Sequence, residues 1–187
     1  MIETEYKCII DEQTYDKIRE HFDWDWEVHQ INNYYFDAKG ELSKRHIMVR
    51  IREKNGAFAV QVKAHKNPGE ALQICEENEF PIDCVPEVIP AADALKYTGV
   101  ETGDLKLAGD LDTLRSSLMW RDNVEICLDK SAYLDRVDYE IEIEYTGDLP
   151  VELMRELEGL GVVFKKSAVG KYTRFVTRLF QLLHGDV

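Results

Sequence analysis

Carboxylates and cations recur on alternate residues in several short stretches of this chain, and that spacing makes them candidates for chemistry. Glu3, Glu5 and Lys7 alternate with Ile2, Thr4, Tyr6 and Cys8. Arg50 and Arg52 alternate with Val49 and Ile51, and Gln61 and Lys63 with Val60 and Val62. Glu77 and Glu79 share one parity, Glu125 and Asp129 oppose Val124, Ile126 and Leu128, and Glu140, Glu142 and Glu144 alternate with Tyr139, Ile141 and Ile143. Strand side chains alternate faces, so each stretch presents one apolar and one charged face. Two arrangements produce this pattern. An open antiparallel sheet turns its charged side to water. A sheet curled into a barrel turns it inward, where neighbouring carboxylates raise one another's pKa unless cations intervene. Two unit charges 4 Å apart interact by roughly 4 kcal/mol at an effective dielectric of about 20. An interior holding both sets therefore makes sense only around a divalent cation and a polyanion, with carboxylates on Mg2+ or Mn2+ and Arg and Lys on phosphate oxygens. Pattern alone leaves both arrangements open.

The elements that must position these residues follow from periodicity. Strands are predicted over Ile2–Ile9, Gln30–Phe36, His46–Lys54, Phe58–Ala64, Leu72–Ile82, Thr113–Trp120, Val124–Leu128 and Asp138–Tyr145. Asn55-Gly56 and Arg121-Asp122-Asn123 read as hairpin turns, and Asp37–Ser43 as a polar turn around Gly40. Helices are predicted over Asp11–Phe22, with Asp11 as N-cap, over Ala91–Tyr97, from Pro150 to a stop at Gly161, and over Lys171–His184. The stretch Pro86–Leu111 is the least strand-like. Strands that are mostly adjacent in sequence argue for an antiparallel sheet or barrel with helices outside it, not a doubly wound parallel sheet.

The 187 residues, 44% apolar and 32% charged, describe a folding chain that buries roughly 70% of its unfolded surface. Lys and Arg number 23 against 36 Asp and Glu, a net charge of −13, which opposes nucleic acid and anionic lipid unless basic residues cluster. No apolar run approaches the ~20 residues of a membrane span, and Met1-Ile2-Glu3 opens no secretory leader. A cytoplasmic protein is expected. Cys8, Cys75, Cys84 and Cys127 form no C-x-x-C pair and read as reduced thiols. The five histidines lack metal-ligand spacing, and no glycine-rich phosphate loop is present. Trp24, Trp26 and Trp120 read as packing or rim residues, and Lys44-Arg45-His46 as a solvated turn.

Taken together, these stretches resemble a known family. Glu3-Thr4-Glu5-Tyr6-Lys7 is similar to the E-x-E-x-K signature of the CYTH superfamily, the triphosphate tunnel metalloenzymes. Asn33-Tyr34-Tyr35-Phe36-Asp37 resembles its N-x-Y-F-D-T segment, with Ala38 in place of the Thr. Met48–Arg52 resembles its a-L-R-I-R strand, Val60–Lys63 the strand that follows, and Thr113-Leu114-Arg115 a T-x-R element. Leu128-Asp129, Tyr133 and Asp138–Glu142 resemble the L-D…Y…D-Y-E-L-E pattern of a bacterial triphosphatase branch. The resemblance implies an α+β fold, a closed eight-stranded antiparallel β-barrel with helices outside it, over one domain spanning residues 1–187. It implies a metal-dependent hydrolase of a triphosphate (inorganic tripolyphosphate, thiamine triphosphate or a nucleoside triphosphate) that releases orthophosphate. A class IV-type adenylyl cyclase and a non-catalytic polyphosphate- or nucleotide-binding module are the alternatives. On this basis Glu3, Glu5, Glu140 and Glu142 hold Mg2+ or Mn2+. Lys7, Arg50, Arg52, Lys63, Arg115 and Lys171 clasp phosphate, Lys171 competing with Lys165 and Lys166 as the family's late lysine. Lys7, Glu77, Glu79 and Asp129 align water or the basic residues. The partner expected is a small-molecule triphosphate, without nucleic acid or membrane, for a monomer or homodimer.

Overall fold

The structure, a computed structural model, describes residues 2–65, 72–164 and 169–185, and of residues 2–4, 65 and 72–75 the backbone alone. In β1 (Ile2–Ile10), Glu5 and Lys7 lie on one side, while Cys8 and Ile10 join an apolar cluster on the other. The Asp11 carboxylate then accepts the Thr14 N–H at 2.8 Å and starts α1 (Glu12–His21). The strand β2 (Trp26–Asp37) begins four residues before the predicted Gln30, because residues 26–29 pair with residues 114–117 far along the chain. Asp37 accepts the backbone N–H groups of Lys39, Glu41 and Leu42 at 3.1, 2.8 and 3.0 Å. That carboxylate folds part of the expected polar turn into a short helix, α2 (Glu41–Lys44).

The hairpin of β3 (Ile47–Lys54) and β4 (Ala57–His65) turns at Asn55 and Gly56, both with positive φ, as a tight two-residue turn requires. β5 (Leu72–Ile82), β6 (Val88–Ile89) and α3 (Ala91–Thr98) follow. The long β7 (Leu105–Arg121) corrects the sequence reading, which started this strand at Thr113. Its first half contains Gly109 at φ 144°, where the register against β2 shifts between Tyr34 and Tyr35. β8 (Val124–Tyr133), β9 (Arg136–Tyr145), α4 (Val151–Leu160) and α5 (Lys171–His184) complete the described chain.

The result is an α+β fold with one antiparallel sheet in the order β2-β3-β4-β5-β1-β9-β8-β7-β6. β7 pairs again with β2, from Trp26 opposite Ser117 to Asp37 opposite Leu105. Apolar faces point outward to the helices. Cys8, Ile126, Ile141 and Ile143 pack with Tyr15 and Ile18 of α1 and Leu153 and Leu157 of α4. Val49, Ile51, Val60 and Val62 pack with Leu42 of α2 and Ala94 of α3. A third cluster differs: Tyr34, Met48 and Leu111 turn toward α5, where Phe175 is fully buried against them.

Candidate active site

The charged faces of these strands line one cavity of about 780 Å3. Among the described residues its wall carries Glu5, Glu77, Glu125, Asp129, Glu142 and Glu144 against Lys7, Arg50, Arg52, Lys54, Lys63, Arg115 and Lys171. Among the described residues seven cations thus stand against six acids, a near balance in a chain of net charge −13.

The β1–β9 ladder sets Glu5 opposite Glu144 and Lys7 opposite Glu142. Carboxylate oxygens of Glu5, Glu142 and Glu144 consequently lie within 4.8 Å of one another. Such a set of oxygen donors suits a hard divalent cation. Three cations already touch it. Lys7 Nζ lies 2.8 Å from Glu5 and 3.8 Å from Glu142. Arg115 donates to both oxygens of Asp129 at 2.8 and 2.7 Å, donates to Glu142, and reaches Glu144 at 3.7 Å. Lys171, at the start of α5, lies 2.8 Å from Asp129, 2.9 Å from Glu140 and 2.7 Å from Glu142.

These contacts set the protonation states. Burial pushes the Asp129 and Glu142 carboxyls up, but the attraction of Arg115 and Lys171, joined at Glu142 by Lys7, outweighs it and holds both below the usual range. Burial and repulsion from Glu142 raise Glu140 despite Lys171 and Arg174. The same attractions reverse the effect of burial on Lys7 and Lys171, which are held above the usual lysine range.

The opposite wall is different. Arg50 donates to Gln61 at 2.8 Å, and Gln61 donates onward to Glu79 at 2.6 Å. Arg52 donates to Asn32 at 3.2 Å. Among the described residues neither arginine has a carboxylate within ion-pair distance. Burial, then repulsion from Arg50 and Arg115, pulls the Arg52 guanidinium down to about 9. Glu77 offsets part of this pressure, and an arginine stays charged in proteins, so an anion placed beside Arg52 would relieve the rest. Lys63 pairs with Glu77 at 3.1 Å, and Glu77 is held low: burial raises it, but Lys63, Arg50 and Arg52 prevail.

Of the residues singled out from sequence, Lys7, Arg50, Arg52, Lys63, Arg115, Lys171, Glu5, Glu77, Asp129 and Glu142 all face this cavity. The side chain of Glu3, and Lys165 and Lys166, lie outside the described residues. Glu79 is exposed and reaches the wall only through Gln61. Glu140 is buried one step beyond the lining, between Lys171 and Arg174, while Glu144 stands with Glu5 and Glu142. Glu144 shares the parity of Glu140 and Glu142, but only the ladder register distinguishes the three. Sequence reasoning also passed over Asn32, Tyr34 and Tyr172; their signal was the continuation of β2 parity and their neighbourhood to Asp37 and Lys171. His46, read as part of a solvated turn, lines the cavity at φ 55°. Trp26 lines its mouth, whereas Trp24 donates to the Arg19 carbonyl at 3.0 Å and Trp120 lies under Arg121.

The comparisons with known proteins agree with this geometry. A family model described as the CYTH domain matches residues 1–163. YjbK of Bacillus subtilis (strain 168), which carries the name "Putative triphosphatase YjbK", is 30% identical over 148 residues, covering 76% of this chain and 77% of that protein. The solved structure of HpAC1 from Hippeastrum, described as an adenylyl cyclase candidate with a dominant triphosphatase activity, superposes with a TM-score of 0.74 at 20% identity, over 94% of this chain and 96% of that one. The Bacillus halodurans protein bh2851, crystallised as an adenylate cyclase candidate, gives 0.71 at 25% identity, over 92% and 96%. With its strands, its cavity and a family match over most of its length, the chain belongs to the CYTH domain family.

Proposed function

We propose that this protein is a divalent-metal-dependent triphosphatase, and that the ring of ladders from β2 round to β7 works as a closed eight-stranded tunnel around its substrate. The observation that carries the reading is the placement in one cavity of a three-carboxylate group and two arginines that form no ion pair among the described residues. The name of the relative YjbK supports the same activity.

In this reading Glu5, Glu142 and Glu144 hold Mg2+ or Mn2+, joined by Glu3 two residues upstream on β1. Such an ion, when bound, supplies charge neutralisation and Lewis-acid polarisation of a phosphoryl oxygen. Arg50, Arg52 and Lys63 bind phosphate oxygens from one wall and Lys7, Arg115 and Lys171 from the other. Asp129 keeps Arg115 and Lys171 aimed inward through its contacts of 2.7–2.8 Å. Glu77 and Glu79 orient Lys63 and, through Gln61, Arg50. Glu140 acts through Lys171 and not as a ligand. Water attacks the terminal phosphorus, the bond to the bridging oxygen breaks, and orthophosphate leaves with one proton released. Little covalent chemistry falls to the protein, so its contribution is positioning and charge neutralisation.

The test is a product assay on inorganic tripolyphosphate, thiamine triphosphate and ATP. Orthophosphate release that stops with chelator and returns with Mg2+ or Mn2+ is expected. Full turnover in excess chelator would overturn the metal dependence, and ATP yielding cyclic AMP and pyrophosphate would move the protein to the cyclases.

A further inference from the structure

Three buried side-chain polar atoms have no hydrogen-bond partner among the described residues: Glu140 Oε2, Arg174 Nη2 and the Tyr34 hydroxyl. The first two face each other as an ion pair at 2.6 Å. Tyr34 has no such partner. Its side chain is fully buried (0% exposed), yet it lines the cavity, and an unpaired buried hydroxyl is both costly and uncommon.

The position of this phenol limits what can satisfy it. Its ring is wedged against Tyr172 and Phe175 of α5, with centroids 5.3 and 5.1 Å away, so it has little freedom to turn toward water. Tyr34 stands opposite Arg50 in the β2–β3 ladder and one inward position from Asn32, which holds Arg52. The hydroxyl is near enough to Arg52 and to the Tyr172 phenol to interact electrostatically with both. A guanidinium offers only donors. Beside arginines the phenol can use its oxygen lone pairs, but its proton still lacks an acceptor. An anionic oxygen held by Arg50 and Arg52 is such an acceptor.

We infer that the Tyr34 hydroxyl donates to a phosphate oxygen of the bound triphosphate and marks the end of the phosphate chain nearest α5. The inference rests on the triphosphate reading of the cavity given above.

The substitution Tyr34→Phe tests it cleanly, because it keeps the ring against α5 and removes only the hydroxyl. The probe is inorganic tripolyphosphate, titrated by calorimetry into the full chain with metal removed so that no turnover intervenes. The Phe variant is expected to melt at the same temperature as wild type or higher without ligand, since an unpaired polar group is gone. It should bind tripolyphosphate roughly 10-fold more weakly, the loss of one charge-assisted hydrogen bond, and show a smaller ligand-induced rise in Tm. A merely structural hydroxyl gives the opposite pattern, a lower melting temperature with unchanged affinity, and that result overturns the inference. Arg52→Ala separates the two claims. If wild type binds, Arg52→Ala weakens binding and Tyr34→Phe does not, the hydroxyl assignment fails alone. If wild type binds tripolyphosphate neither without metal nor with Mg2+ or Mn2+ present, the triphosphate reading fails and the assignment with it.

Discussion

Arg52 and Lys54 stand two residues apart on one strand and both line the cavity, but their surroundings differ. Arg52 is half-buried, crowded by Arg50 and Arg115, while Lys54 is exposed beside the Asn55-Gly56 turn. A desolvated charge on a ligand is worth ~2–5 kcal/mol and an exposed one under about 1 kcal/mol. Arg52→Ala should therefore weaken tripolyphosphate binding by about 30-fold or more, and Lys54→Ala by less than about 5-fold; calorimetric titration of both variants checks it. The acids offer a second contrast. Glu144→Gln should abolish the Mg2+- or Mn2+-induced rise in melting temperature, because Glu144 stands with Glu5 and Glu142. Glu140→Gln should retain that rise, since its carboxyl is engaged by Lys171 and Arg174. The motif spacing marks all three late glutamates equally. Choosing among them requires the register of β9 against β1.

Among the elements, α5 closes one part of the cavity wall and carries Lys171 into it. Its seat is Phe175, buried against Tyr34 and Tyr133, reinforced by Arg174 on Asp138 at 2.7 Å and Arg178 on Asp135. The β7 backbone comes close enough for this only because residue 109 is glycine. A Cβ there would lie 3.0 Å from the Phe175 ring, on a backbone with φ 144° that other residues rarely adopt. Gly109→Ala should destabilise the fold by about 1–3 kcal/mol. Gly159→Ala, on α4 with open space around its Cβ, should be neutral or stabilising by about 0.4–1 kcal/mol. Urea midpoints of the two variants should thus move in opposite directions. The same glycine explains why the first half of β7 was not legible in sequence. Gly103, Gly109 and Asp110 break the apolar alternation, and what holds that segment extended is β2, which no local pattern reveals.

For the whole molecule, the coupled charges of the cavity dictate how stability varies with pH. Asp129 and Glu142 titrate below their unfolded values. A lowered carboxyl contributes stability that is present above its unfolded pKa and lost as pH falls through the folded one. Glu140 has the opposite sign: its raised pKa is a cost at neutral pH that protonation removes on mild acidification. Stability should hold or rise slightly from neutral pH toward pH 5 and then fall below about pH 4. Urea unfolding at pH 7, 5 and 3 checks this, with Asp129→Asn expected to flatten the acid limb.

Strand parity, the Asn55-Gly56 turn, the Asp11 cap and the helices of residues 12–21, 151–160 and 171–184 follow from local spacing, because each depends on neighbours a few positions away. Which side of the sheet the charged parity faces was not determined in that way, since an open sheet and a rolled one share the same alternation. The β2–β7 ladder, joining residues 26–37 to 105–117, and the cavity that the charged residues line belong to tertiary pairing that no local pattern reveals. The convergence of Glu5 with Glu142 and Glu144, and the placement of Arg50 and Arg52 beyond ion-pair distance of any carboxylate among the described residues, were likewise settled only by tertiary pairing. Alternation tells a side chain which face it takes, but the partner across that face is set by the register of strands far apart in the chain.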